Sequence, residues 1–308
     1  MYLRQTTLFD DVQYNHVKHD HVVNVASVPQ LSPFRYPGGK TWLVPYIRRW
    51  LSPLLRQQYH LSPIRSAEFI EPFAGGGIIS LTVAAENLSE RVTMVEIDED
   101  VAAVWQTIFH QDLCQWLAQA IVSFDLTEEH IEAFLAKRDL TLQERALKTI
   151  VRNRVNRGGI LAQGAGRIKN GEAGKGIRSR WYPVTLAKRI QHIVSLGPQI
   201  TFIHDDGMRV LEQHLDCADM VFFIDPPYTV AGKKAGNRLY TYSEVDHQAL
   251  FAIASKLKGD FLMTYDDTDE VRSLAHRHHF DVQAIAMKST HHARMQELLI
   301  GKDLNWLR

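Results

Sequence analysis

The residues Asp225-Pro226-Pro227-Tyr228 close the apolar run MVFFIDPPYTV, and their types suit one kind of chemistry. Two prolines fix the backbone direction. They hold a carboxylate, a carbonyl and an aromatic ring in one rigid group. The exocyclic amino group of a nucleobase matches that group. Asp225 can accept one of its N–H bonds and the Pro226 carbonyl can accept the other. Both bonds favour a nitrogen that becomes tetrahedral as it attacks an electrophile. Tyr228 can stack on the ring, which contributes roughly 1–3 kcal/mol per base. The plain alternative is a sharp turn after a buried strand. A lone D-P-P does not separate the two readings, so other segments must decide.

The stretch FRYPGGKT, residues 34–41, ends like a nucleotide-phosphate loop. That pattern requires a glycine five residues before Gly39, and Phe34 stands there. No strand-like apolar run leads into it, which disfavours ATP. A more regular segment follows in SAEFIEPFAGGGIISLTVAAENL. It reads as a short strand at 67–71, a turn at Pro72, a glycine cluster and a small-residue helix from about Ile78. RVTMVEIDED reads as a second strand that ends in acids. Strand, glycine loop, helix, strand and acid is the layout of a doubly wound nucleotide-binding sheet. Adjacent glycines let a ligand approach the backbone. An acid closing the next strand can accept from both ribose hydroxyls. The glycines do not follow G-x-G-x-x-G, and no basic residue near the helix start could hold a pyrophosphate. An adenosine ligand without phosphates fits better.

These segments sit in a 308-residue chain of ordinary globular composition, 45% hydrophobic and 23% charged. No apolar run approaches a membrane span, and the N-terminus lacks the apolar core of a signal peptide. Two cysteines, Cys114 and Cys217, give neither a disulfide framework nor zinc spacing, so a cytoplasmic location is expected. The histidine clusters lack the spacing of a metal site, and no metal is expected. Net charge is zero, but residues 145–190 hold twelve Lys or Arg and one acid, Glu172. Such segregation predicts a basic surface for a polyanion. Residues 101–155 read as helices, with Thr127-Glu-Glu-His and Thr141-Leu-Gln-Glu as helix starts. Pro45 is tolerated in TWLVPYIRRWL if it lies in the first helical turn. The glycine- and arginine-rich stretch before the helix VTLAKRIQHIVSLG is too long for an ordinary connection. Strands then resume in QITFIHDDG, MVFFIDPPY, DFLMTYDD and ELLIG.

Taken in order, RYPGGK, EPFAGGG, VEID and DPPY resemble the DNA adenine methyltransferases of the Dam type, in the D12 class. YTYSEVDHQAL, FLMTYDDT and ELLI continue the resemblance, which covers about residues 32–301. It implies an α/β, Rossmann-like mixed sheet that binds S-adenosylmethionine, with an inserted helical, basic DNA-recognition domain. The core would span 32–111 and 191–308, the insert 112–190, and an extension 1–31. The implied cofactor residues are Tyr36, Lys40, Phe73, Gly75, Gly77, Glu96 and Asp225, with Asp205 or Asp206 at the cofactor's adenine edge. The implied catalytic group is Asp225, Pro226 and Tyr228. Tyrosine stands at 36 where the family usually has tryptophan, and Glu96 where it often has aspartate. The insert lacks the Asn/Gly/Phe-rich stretch of GATC-reading members, so that recognition site is not implied. Arg152, Arg154, Arg157, Arg167, Arg178 and Arg180 are candidates for phosphate or base contacts on double-stranded DNA. The expected reaction methylates the 6-amino group of adenine after base flipping. The alternatives are the 4-amino group of cytosine and a catalytically silent DNA-binding protein. Cognate restriction or defence proteins are possible partners.

Overall fold

Strict alternation of apolar side chains builds the centre of the molecule. In β4 (Val221–Ile224), Val221 and Phe223 face one hydrophobic cluster while Phe222 and Ile224 face another. In β5 (Asp260–Asp266), Leu262 joins the first cluster, and Phe261, Met263 and Tyr265 join the second. Strands buried on both faces must be covered on both faces, as in a doubly wound sheet. The computed structural model describes residues 28–35, 39–61, 68–162, 164–227, 245–288 and 294–307.

The other strands are β1 (Glu68–Glu71), β2 (Arg91–Glu96), β3 (Ile200–His204), β6 (Asp281–Lys288) and β7 (Arg294–Gly301). The seven form one sheet in the order β3-β2-β1-β4-β5-β7-β6. The pairs β1–β2, β1–β4, β2–β3 and β4–β5 are parallel. β7 runs antiparallel to both β5 and β6. The strand order reverses between β1 and β4, the kind of switch point beyond whose strand ends open α/β sheets bind ligands. The predicted strands are all present. β6 was not predicted, because most of its described side chains are only half-buried and its sequence DVQAIAMK carries no clean alternation.

Helices cover both faces. On one side lie α1 (Val44–Trp50), α3 (Ile78–Ala85) and α4 (Glu99–Phe109), reached through α2 (Pro53–Gln58). Pro45 does occupy the first turn of α1. On the other side lie α9 (Gly207–Gln213), α10 (His247–Ala254) and α11 (Asp269–Arg277). Between α4 and β3 come α5 (Gln111–Ser123), α6 (Glu128–Ala136), α7 (Leu142–Val155) and α8 (Pro183–Leu196). Thr141 and Glu144 form the full reciprocal cap of α7, whereas Thr127 caps α6 through His130 N–H alone. The stretch between α7 and α8 holds short 3-10 turns and one bridge, Asn156 to Arg167. The helices of 112–190 share their core with the sheet: Leu117, Ile121, Ile150 and Ile190 lie in the same cluster as Phe69 and Val92.

At the amino end of β5, Asp260 accepts from Trp50 Nε1 at 3.1 Å and from Arg56 Nη1 at 3.2 Å. Arg56 is 1% exposed, so this carboxylate neutralises a buried cation that ties α1 and α2 to the sheet. Asp260→Ala leaves that cation uncompensated and is expected to destabilise the fold by roughly 3–5 kcal/mol. Urea unfolding checks this; a loss below about 1 kcal/mol would mean that water reaches Arg56.

Candidate functional site

The ends of β1, β2 and β4 bring together three of the predicted motifs. After β1, the turn at 72–77 carries Gly75 and Gly77 at φ 49° and 63°. Gly77 also starts α3, and a Cβ there would lie 2.5 Å from Met94 Cε and 2.9 Å from the Trp105 ring. No other residue fits that position without displacing both side chains. Trp105 Nε1 donates to the Gly75 carbonyl at 3.0 Å and fixes the turn from below. Phe73 is half-buried and packs on the opposite hydrophobic cluster.

Glu96 closes β2. Its Oε2 accepts from Gly75 N–H at 2.9 Å and its Oε1 from Asp98 N–H at 2.8 Å. Burial pushes its carboxyl up to about 7 against the pull of those amides. Each carboxylate oxygen retains a second lone pair for a further donor. Asp98 is otherwise engaged, accepting from Asp100 and Val101 N–H at the start of α4. The HDDG pair lies beside Glu96, since Asp205 N–H donates to the Glu96 carbonyl at 3.2 Å. Asp205 forms an ion pair with Arg209, which holds its carboxyl below the usual range. Asp206 caps α9 through Met208 N–H at 2.9 Å.

Asp225 follows β4, with Pro226 buried behind it. Its Oδ1 accepts from Thr264 Oγ1 at 2.7 Å and pairs with Lys40 Nζ at 3.2 Å. Lys40, only 4% exposed, also reaches Glu297 Oε1 at 3.4 Å. The lysine of the GGK loop therefore bridges the end of β4 to β7. Tyr36 and Tyr228 lie outside the described residues, as do residues 1–27 of the extension.

Sequence reasoning missed three members of this cluster. Glu297 and Thr264 stand inside apolar strands, and their only signal was a polar residue interrupting each run. Glu71 ends β1 within EPFAGGG and is 3% exposed. It accepts from Ser80 N–H at 3.0 Å and from the Ser80 hydroxyl. Burial first, then Asp225 and Glu96, raise it to about 8, while Ser80 opposes the shift. Glu297 rises to about 7, chiefly by burial, with Lys40 opposing. The Tyr265 hydroxyl, in contact with His247 Nδ1 at 2.9 Å, is likewise raised by burial and by Asp225. No group of three or more potential metal ligands occurs among the described residues.

The candidate arginines lie elsewhere and differ among themselves. Arg152 pairs with Asp100 at 2.7 Å and Arg167 with Glu132 at 3.4 Å. A cavity of about 450 Å³ opens between them, lined by Leu135, Asn156, Leu161 and Ala162. Arg157 and Arg178 are exposed and Arg180 is half-exposed. Arg154 is not on the surface: it is 7% exposed and donates to the Pro33 carbonyl.

Glu71 predicts a pH signature. Its folded pKa stands above its unfolded value, so it favours the folded state at low pH, and that contribution is lost as pH rises from about 4.5 through about 8. Glu71→Gln keeps an acceptor for Ser80 and removes the titration. Between pH 5 and pH 8.5 its melting temperature should fall by several degrees less than that of the unmutated chain. Parallel melting curves would show that Glu71 is solvated.

The family model of the D12 class N6 adenine-specific DNA methyltransferases matches residues 36–289. No curated protein matches the sequence. Among solved structures, the rRNA methyltransferase aviRa from Streptomyces viridochromogenes is 14% identical, with 87% of each chain covered and a TM-score of 0.36. The precorrin-6y C5,15-methyltransferase of Geobacter metallireducens GS-15 is 10% identical over 80% of this chain and 84% of that one, with a TM-score of 0.31.

Proposed function

The chain belongs to the D12 class N6 adenine-specific DNA methyltransferases, and on that premise we propose that Asp225, Pro226 and Tyr228 receive an adenine drawn out of double-stranded DNA beside the sheet's carboxyl edge. The cofactor of this family is S-adenosylmethionine. The observation that carries the residue assignment is the convergence of Asp225, Lys40 and the Gly75–Glu96 pair at the reversal between β1 and β4.

The residues present fit the cofactor. Lys40 meets Asp225 and Glu297 of the acids at this edge, while Glu71 feels Asp225 and Glu96, and burial raises all three glutamates. A cationic sulfonium relieves that crowding. Glu96 takes the ribose hydroxyls on its remaining lone pairs, and Gly75 and Gly77 let the ligand lie against the backbone. Asp206, or Asp205 with Arg209 displaced, addresses the adenine edge. When bound, S-adenosylmethionine supplies a methyl group already activated by positive sulfur.

The rest is done by the chain. The target base must leave the stack, because its amino group is inaccessible inside a duplex. Asp225 accepts one amino N–H and the Pro226 carbonyl the other, which turns the nitrogen lone pair out of conjugation with the ring. Lys40 and Thr264 hold the Asp225 carboxylate in place. Positive charge then develops on the nitrogen as its bond to the methyl group forms, the carboxylate stabilises it electrostatically, and one amino proton is released to solvent to leave the neutral methylamino group. No covalent bond to the protein is needed, and no metal enters this sequence of events. Arg157, Arg167, Arg178 and Arg180 engage phosphates or base edges along the duplex.

Methyl transfer from labelled S-adenosylmethionine to unmethylated duplex DNA, with digestion to nucleosides, tests the reading. Label is expected in 6-methyladenine. Label in 4-methylcytosine changes the target base, and no label in any base with cofactor bound sinks the assignment. Asp225→Ala should lower transfer by at least about 10²–10³-fold while duplex binding persists. Full activity in that variant would remove the carboxylate from the mechanism.

A further inference from the structure

Three guanidinium groups converge behind the segment 32–35, and no acid among the described residues balances them. Arg154 on α7 is 7% exposed, and its Nε is buried without a hydrogen-bond partner. Arg35 is half-buried, and its Nη1 is likewise buried and unpartnered. Arg189 on α8 is half-buried and donates to the Ser32 carbonyl at 3.2 Å. None of the three forms an ion pair among the described residues. Arg180 stands close enough to repel both Arg35 and Arg154.

Such a group is costly to assemble. Guanidinium stays protonated at any physiological pH, and buried charges of like sign repel each other in a medium that screens poorly. Burial and the three neighbouring arginines pull Arg154 down to about 10, which still leaves it cationic. The unpartnered donors of Arg35 and Arg154, and three cations that meet no acid among the described residues, call for the same thing, a compact anion rich in acceptor oxygens. A phosphate matches the planar fork of arginine in charge and spacing.

We propose that Arg35 and Arg189, with Arg180 beside them and the buried Arg154 charge behind, form a binding site for a phosphodiester group of the DNA backbone. The inference rests on the reading that DNA is the substrate, and it adds a defined anchoring point away from the catalytic carboxylates. The anchor is connected to the cofactor turn through residues 32–35. Asn153 clamps the backbone of Arg35, accepting its N–H at 2.9 Å and donating to its carbonyl at 3.0 Å. Gly159 lies so close that a Cβ on it would sit 2.0 Å from the Arg35 carbonyl oxygen. At the other end, the Ser32 hydroxyl donates to the Gly76 carbonyl at 2.5 Å. Phe34 packs on Trp105 at 5.7 Å between ring centroids, the same indole that holds Gly75. A phosphate fixed by Arg35 and Arg189 therefore braces the turn on which the cofactor rests.

The test uses the full chain with Arg189→Gln and Arg35→Gln, since Arg154 lies too deep for a clean substitution. Duplex affinity is measured across salt concentration, alongside melting temperature in chloride at fixed ionic strength. Each variant should bind a short duplex several-fold more weakly, with the slope of log K against log salt reduced by about 0.9, the loss of one phosphate contact. Arg189→Gln should melt higher than the unmutated chain when no DNA is present, because repulsion is relieved. Unchanged affinity and slope in both variants overturn the site. Inorganic phosphate that raises the melting temperature as much as duplex does, with duplex affinity intact in the variants, assigns the site to a free anion and overturns the DNA assignment. Duplex binding that depends on these arginines, without label in any base, leaves the site standing and fails only the reaction.

Discussion

One buried ammonium organises the carboxyl edge of the sheet. Lys40 lies between Asp225 at the end of β4 and Glu297 on β7, at 3.2 and 3.4 Å. A buried lysine must have its charge met, because desolvation costs several kcal/mol per ion. Satisfying it fixes three separate parts of the chain at once. Lys40 is drawn against the sheet, Asp225 is oriented, and β7 is set against β5 with Asp266 opposite Glu297. The antiparallel strand, which could otherwise be read as an appendage, thus supplies a counter-charge to the site.

The same edge is crowded with acids. Glu71, Glu96 and Glu297 are all raised by burial, and the nearest carboxylates push Glu71 and Glu297 further. Local hydrogen bonds from Ser80, Gly75 and Asp98 only partly offset this. The fold tolerates the arrangement because the surrounding strands are stabilised independently. Phe222, Phe223, Phe261 and Leu262 are at most 1% exposed, and each contributes roughly 1.5–3 kcal/mol by burial. Packing on both faces of the sheet therefore sustains a strained electrostatic environment at one end of it.

Charge segregation along the chain becomes separation in space. The acids collect at the ends of β1, β2 and β4 and at Glu297 midway along β7, while the arginines collect on α7, α8 and the turns between them. The basic helices nevertheless do not stand apart. Ile150, Val151 and Ile190 share a core with Phe69 and Val92, so a change in how α7 and α8 are held is felt by the sheet. Segment 32–35 is the short connection between the two charge regions, tied to Asn153 and Arg189 on one side and to Gly76 on the other.

The sequence by itself determined the elements with local causes. Continuous apolar runs in MVFFI and DFLMTY dictated central strands, Pro45 a helix's first turn, Thr141 with Glu144 a helix start, and the run EPFAGGG a glycine turn between strand and helix. It also marked Asp225 at the end of an apolar run, and the family resemblance singled out Glu96 among the acids after β2, whereas Glu71, which ends β1 in the same way, was missed. Tertiary structure alone decided which polar residues inside the strands matter. Glu297 and Thr264 reach Lys40 and Asp225 only when β5 and β7 pair beside β4, contacts made across long stretches of chain. It also divided the arginines: Arg152 and Arg167 found acids, Arg178 stayed exposed, and Arg154 was buried among other cations. Residue type fixes that a guanidinium is charged, but only packing fixes what faces it.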